Sequence, residues 1–155
     1  MASRRGSLAC VRELCNWRTD IEAADKFGRT PLYYASVNGH LDIVRELLAR
    51  GANIEVASQG GRTNLHVASD RGHLDVVREL LARGANVNAA TDSGSTPLLL
   101  SSYSGHVEVV RALLAAGADK RHVNNGGKTA ALLASLYAAP ASSRAAILAL
   151  LAAAP

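Results

Sequence analysis

Residues 39–55 read GHLDIVRELLARGANIE and residues 72–88 read GHLDVVRELLARGANVN. The same text returns after thirty-three residues, and this period limits the possible folds more than any other feature of the chain. Shifting the sequence by one period brings Gly28, Gly61, Gly94 and Gly127 into register, with Thr30, Thr63, Thr96 and Thr129 two places on. Gly39-His40, Gly72-His73 and Gly105-His106 align next. Leu47-Leu48, Leu80-Leu81 and Leu113-Leu114 follow, and then Gly51-Ala52, Gly84-Ala85 and Gly117-Ala118. A fixed period of this size marks a solenoid, in which one unit cannot bury its apolar stripe alone and its neighbours supply the other wall.

Each letter of the unit has a local reason. Gly28 stands where a tight turn needs a positive φ. Thr30 is placed to cap a helix whose first turn holds Pro31, where a missing N–H is harmless. That short helix is expected from Pro31 to about Asn38 and stops at Gly39. A second helix, Leu41 to Arg50, carries Leu41, Val44, Leu47 and Leu48 on one face and Asp42, Arg45, Glu46 and Arg50 on the other. Gly51 ends it, and Asn53 leads into an extended turn toward the next copy.

Composition agrees with this reading. A chain of 155 residues holds one domain with a sizeable core, and 48% hydrophobic against 19% charged residues describes a folded chain. Aromatics are only 4%, which favours helices packed closely through Ala and Leu. The net charge of +4 is too modest to mark a nucleic-acid binder by itself. Cys10 and Cys15 fall on different faces of one expected helix and read as free thiols, which suits a reducing interior. The start, MASRRGSLACVREL, has no apolar run long enough for a secretory signal, and AAILALLAAA at 145–154 is about half a membrane span. The expectation is a soluble, intracellular and cytoplasmic chain.

The pattern resembles the ankyrin repeat, matching its G-x-T-P-L-x-x-A…G-H-L-x-V-V-x-L-L-x-x-G-A-(N/D) text. The resemblance implies an all-α solenoid of stacked helix-turn-helix units with short extended turns. Complete copies are expected at 25–57, 58–90 and 91–123. Residues 1–24 align with the second helix and turn of a partial repeat, and 124–155 form a divergent copy. Its second helix is expected at Arg144–Ala154, after an insertion of about four residues near Pro140. Asn64 and Ala130 replace the helix-opening proline and should loosen those two first turns slightly. The usual histidine after Pro-Leu survives only as His66, where Tyr33 and Leu99 stand in other copies. His40, His73 and His106 are expected to help cap the second helices. Neither end reads as a polar cap, so further repeats or another domain are expected to flank the piece.

The motifs that suggest chemistry dissolve into the repeat. DSGS at 92–95 is the text of an aspartic protease loop, yet that chemistry needs two such carboxylates, and this one lies in register with KFGR and QGGR. GGKT at 126–129 looks like the tail of a phosphate-binding loop but occupies the slot of GRT in earlier copies. His40, His73 and His106 are spaced by whole repeats of about 8–10 Å and cannot share one ion. Nothing places a Ser, a His and an acid together. Arg4-Arg5-Gly6-Ser7 suits a basophilic kinase, though Ser7 also suits a helix N-cap. Asn88 weakly resembles the asparagine modified by ankyrin-directed hydroxylases.

With the repeated letters assigned to scaffold, function is expected in the variable ones. In ankyrin-like arrays the turn tips and the exposed side of the first helices line one concave surface. By register it holds Lys26, Phe27, Arg29, Val37 and Asn38 in the first complete copy, and Gln59, Arg62, Asp70 and Arg71 in the second. The third supplies Asp92, Ser95, Tyr103 and Ser104, and the last adds Asn125, Lys128, Leu136 and Tyr137. Exposed aromatics at Phe27, Tyr103 and Tyr137 suit binding hot spots, and the basic excess favours an acidic or mixed-charge protein. The expectation is a non-enzymatic protein-binding module without cofactor, metal, small-molecule substrate, nucleic acid or membrane. The competing reading is a structural segment of a longer array, or one that self-associates through its apolar ends. Binding of an anionic ligand through the basic slots ranks third.

Overall fold

The computed structural model describes residues 20–153 and contains eight helices and no strand among them. They form four pairs: α1 Pro31–Val37 with α2 Leu41–Ala49, α3 Asn64–Asp70 with α4 Leu74–Ala82, α5 Pro97–Ser104 with α6 Val107–Ala115, and α7 Ala130–Tyr137 with α8 Ala141–Ala152. First helices stack on first helices (α1, α3, α5, α7) and second on second (α2, α4, α6, α8), so the core runs between two parallel rows. The expected N-terminal half-repeat up to residue 19, the Cys10 and Cys15 thiols and the Ser7 motif lie outside the described residues. None of the described helices is long and apolar enough to cross a membrane.

The starts of the first helices follow from threonine. Thr30, Thr96 and Thr129 are extended and accept, through Oγ1, the N–H of the residue three places on, at 3.3, 3.4 and 3.3 Å. At α3 the box closes differently. His66 Nδ1 accepts the Thr63 N–H at 3.2 Å and meets Thr63 Oγ1 at 2.8 Å. Asn64 stands in the proline slot, and its Nδ2 donates to Ile54 O at 2.8 Å, tying the helix start to the preceding loop.

The core is built twice over. Leu32, Leu65 and Leu98 from the first helices are buried to within 1% of complete, together with Val44, Val77, Val110, Leu47, Leu80 and Leu113 from the second. Ile43, Val76 and Val109 are also buried, which the single-face reading omitted; these helices pack both on their own partner and on the next second helix, so the apolar stripe is wider than one face. Between successive pairs the approach is close. A Cβ on Gly39 would stand 2.6 Å from the His73 ring, and one on Gly72 would stand 2.6 Å from that of His106. Each of these glycines is left-handed and leaves room for the next copy's histidine.

Those histidines do not cap their own helices as expected. His73 Nε2 bonds Val37 O at 3.1 Å and His106 Nε2 bonds Asp70 O at 3.0 Å, each carbonyl belonging to the preceding repeat. No cap bond comes from their side chains. They are inter-repeat ties. The last pair also departs from expectation, since α8 begins at Ala141 and not at Arg144. The connection Ala138–Pro140 is as short as Asn38–His40, and the extra residues become an added N-terminal helical turn.

Candidate functional site

The candidate surface begins with four tight tips. Residues 25, 58, 91 and 124 each donate a backbone N–H to the carbonyl four places on, at 3.0–3.1 Å, closing the bends around Gly28, Gly61, Gly94 and Gly127, whose φ values are 71–75°. Short polar side chains brace three of the bends from within. Asp25 Oδ1 accepts the N–H groups of Phe27 and Arg29, Thr91 Oγ1 accepts that of Ser95, and Asn124 Oδ1 accepts those of Gly126 and Lys128. Burial pulls the Asp25 carboxyl upward, but the hydrogen bonds from Arg29, Tyr34 and Phe27 outweigh it, so it lies below the usual carboxylate range. Successive tips are then laced together: Gln59 N–H donates to Phe27 O, Asp92 N–H to Gly60 O and Asn125 N–H to Ser93 O, at 2.9–3.1 Å. Asp25, Ser58, Thr91 and Asn124 were missed from sequence. Their signal was present, a short polar residue three places before each tip glycine.

None of the sixteen residues expected to face a partner, nor Leu136, is buried. They fall into three groups. At one end Phe27 is 39% exposed and carries Lys26 Nζ at 5.0 Å and the Arg29 guanidinium at 4.6 Å from its ring centre. Half-buried Tyr33, which sequence left aside, lies 5.9 Å from the same guanidinium. In the middle Arg62 pairs with Asp70 at 2.5 Å, and Ser104 Oγ donates to the other Asp70 oxygen at 3.0 Å. At the far end the Tyr103 and Tyr137 rings meet at 5.0 Å, with Lys128 Nζ 5.2 Å from the Tyr137 ring centre.

Several candidates already have structural duties. Gln59 Nε2 donates to Lys26 O, Asn125 Nδ2 to Asp92 O and Asn38 Nδ2 to Tyr34 O. Val37 offers its carbonyl to His73, and Ser95 offers its own to His66. Arg71 and Asp92 are exposed, and their side chains make no hydrogen bond or ion pair among the described residues. Five basic residues thus face two acidic ones, and Arg62 neutralises Asp70.

His66 is the one deeply buried titratable group in the neighbourhood. Burial holds its pKa down at about 4, and the Arg62 charge pushes the same way. With Nδ1 accepting from Thr63 N–H, the proton sits on Nε2 and is donated to Ser95 O at 3.0 Å. The neutral ring therefore joins the α3 start to the next tip. In the GGKT stretch the N–H groups of Gly126, Gly127 and Lys128 all donate to Asn124 within the turn. The Asn88 carboxamide is engaged at both ends, accepting from Asp119 N–H at 2.8 Å and donating to Gly117 O at 3.3 Å. Among the described residues no three His, Cys, Asp or Glu side chains gather as a metal site.

Comparison with protein families agrees with this geometry. A model of ankyrin repeats in three copies matches residues 1–91, and a model of a single ankyrin repeat matches residues 93–125. No curated protein matches the chain.

Proposed function

The chain belongs to the ankyrin-repeat family, whose members are generally protein–protein interaction modules, and from that premise we propose that it is a non-enzymatic module binding an acidic or mixed-charge protein along its tips and first helices. One observation carries the reading: the recurring core letters, such as Leu32, Leu65, Leu98, Val44, Val77 and Val110, are buried in the scaffold, whereas the candidate letters, which vary between copies, stay accessible along a row of laced tips and first helices. A row held by its own backbone bonds loses little freedom on binding, so contacts made there translate into affinity.

Within the row, Phe27 with its two cations and the Tyr103–Tyr137 pair are the anchors. Aromatic and arginine side chains carry a disproportionate share of interface energy. Arg62 contributes less net charge than its type suggests, because Asp70 is already beside it. The test is capture from cell extract with the intact chain and with the quadruple change Phe27→Ala, Arg29→Ala, Arg62→Ala and Tyr103→Ala. Loss of capture with an unchanged melting curve is expected; retained capture refutes the assignment.

A further inference from the structure

Six large hydrophobic side chains are exposed among the described residues, and five of them, Tyr103, Val123, Leu132, Leu136 and Tyr137, lie on α5, on α7 or in the hairpin leading into α7. Register explains part of this. α7 packs along α5, and Leu99 and Ser102 of α5 are fully buried. The same positions on α7 are Leu132, which is 42% exposed, and half-buried Ser135, with Leu136 beside them at 55%. Among the described residues, an edge that receives a helix at every earlier step is left open.

The chain also leaves α8 differently from the other second helices. After α2, α4 and α6 it turns at Gly51, Gly84 and Gly117 with φ of 85–88° toward the next hairpin, whereas Ala153 after α8 is extended at φ −57° and ψ 137°. Charge around the edge is one-sided. Residues 120–155 contain Lys120, Arg121, Lys128 and Arg144 and no Asp or Glu. Two of these cations are pinned, Lys120 Nζ on Ala153 O and Arg144 on Ala138 O, so the positive field is built into the last pair. A second copy would set like charge against like charge.

We propose that the open edge of α7, with Leu132 and Leu136 as the apolar strip and Lys128 and Tyr137 as its basic-aromatic border, docks an acidic amphipathic helix of a partner protein. The helix sits on α7 as α7 sits on α5. The proposal rests on the protein-recognition reading above and names a partner class for one end of the molecule. Apolar contact supplies the strip, and carboxylates on the incoming helix meet the cations around it.

The test uses the whole chain and two fluorescent synthetic helices, one with leucine at every third or fourth position and glutamate elsewhere, the other with lysine replacing each glutamate. The acidic helix is expected to bind at least about tenfold more tightly and to weaken as salt is raised. Leu132→Asp with Leu136→Asp lowers that affinity by about tenfold or more, and Lys128→Glu lowers it several-fold. Both leucines are exposed, so circular dichroism should report an unchanged fold, and the charge reversal reads the same surface independently. Arg111→Ala, on the exposed face of α6 and outside the candidate row, leaves acidic-helix binding within about twofold, which separates this edge from positive charge elsewhere on the molecule. Absence of binding, equal binding of both helices, or binding that survives the aspartate pair overturns the proposal. So does a dimer in sedimentation that the aspartate pair dissolves, because a second copy would then occupy the edge.

Discussion

A missing Cβ acts through two separate terms in this chain, and the glycines divide them. Gly72 and Gly84 are both left-handed, at φ 75° and 85°, so alanine at either carries the backbone penalty of about 1–2 kcal/mol. At Gly84 nothing lies within 4 Å of the added carbon, whereas at Gly72 it would press on the His106 ring at 2.6 Å and disturb the bond to Asp70 O. Gly72→Ala should therefore cost at least about 1 kcal/mol more than Gly84→Ala in urea unfolding, and equal losses would remove the close-approach argument. His66 gives a pH term of known sign. In the unfolded chain it takes a proton near pH 6.5, and in the folded chain only near 4, so the unfolded state holds more protons in between. Its contribution is intact above about pH 6.5 and is lost progressively as pH falls toward 4, by about 3 kcal/mol at full protonation. His66→Leu, the residue type that Leu99 provides in the same slot, should flatten that part of the stability–pH curve while lowering stability at pH 7.

The elements show which parts of the structure were legible. The helix pairs were readable because threonine caps, glycine stops and the apolar period agree with one another, and local agreement of that kind specifies structure strongly. The start of α8 was not, because inserted residues such as Ala141, Ser142 and Ser143 carry no periodic apolar signal that separates an added helical turn from a loop. The histidine ties were hidden for another reason: a residue at an N-cap position looks like a cap until the neighbouring repeat's carbonyl is in view. The candidate row was legible only as a register, because bonds such as Arg62–Asp70 and Ser104–Asp70 join residues that the fold, not the repeat period, brings together. One element-level feature sets up a prediction. Ser36, Ser69 and Ser102 occupy the same position on α1, α3 and α5, are fully buried, and have no hydrogen-bond partner for Oγ among the described residues. An unpaired buried hydroxyl opposes folding, and alanine fits the space it leaves. Ser69→Ala should stabilise the chain by about 1 kcal/mol in urea titration; a loss of stability would mean that the hydroxyl has a partner.

At the scale of the molecule, stability in a stacked array is close to a sum of unit and interface terms, so it varies along the chain with the quality of each interface. The inner interfaces carry several kinds of tie. Arg45 of α2 bridges Glu79 of α4 at 2.8 Å; hydrogen bonding to Arg45 lowers the Glu79 carboxyl, with Arg83 adding to the effect, although so exposed a pair contributes little by itself. Histidines 73 and 106 reach back to the preceding repeat, and the α3 start is tied forward through His66. At the last interface Ala139 takes the position of those reaching histidines, its backbone lying against Gly105, and α7 keeps one edge open. Among the described residues the last pair packs on one neighbouring pair where each inner pair packs on two, which lowers the free energy of local opening there, while the Tyr103–Tyr137 contact, the Asn125 bond to Asp92 O and the core residues Ala134 and Ile147 hold the pair in place. Native-state hydrogen exchange at low denaturant should therefore show the amides of α7 and α8 opening first, about 1–3 kcal/mol below those of α3 to α6, and Leu80→Ala in α4, costing about 2–5 kcal/mol, should narrow that gap by weakening the centre. Uniform exchange from α3 through α8 would mean that the array opens as one unit, and that the last interface matches the inner ones despite its missing ties.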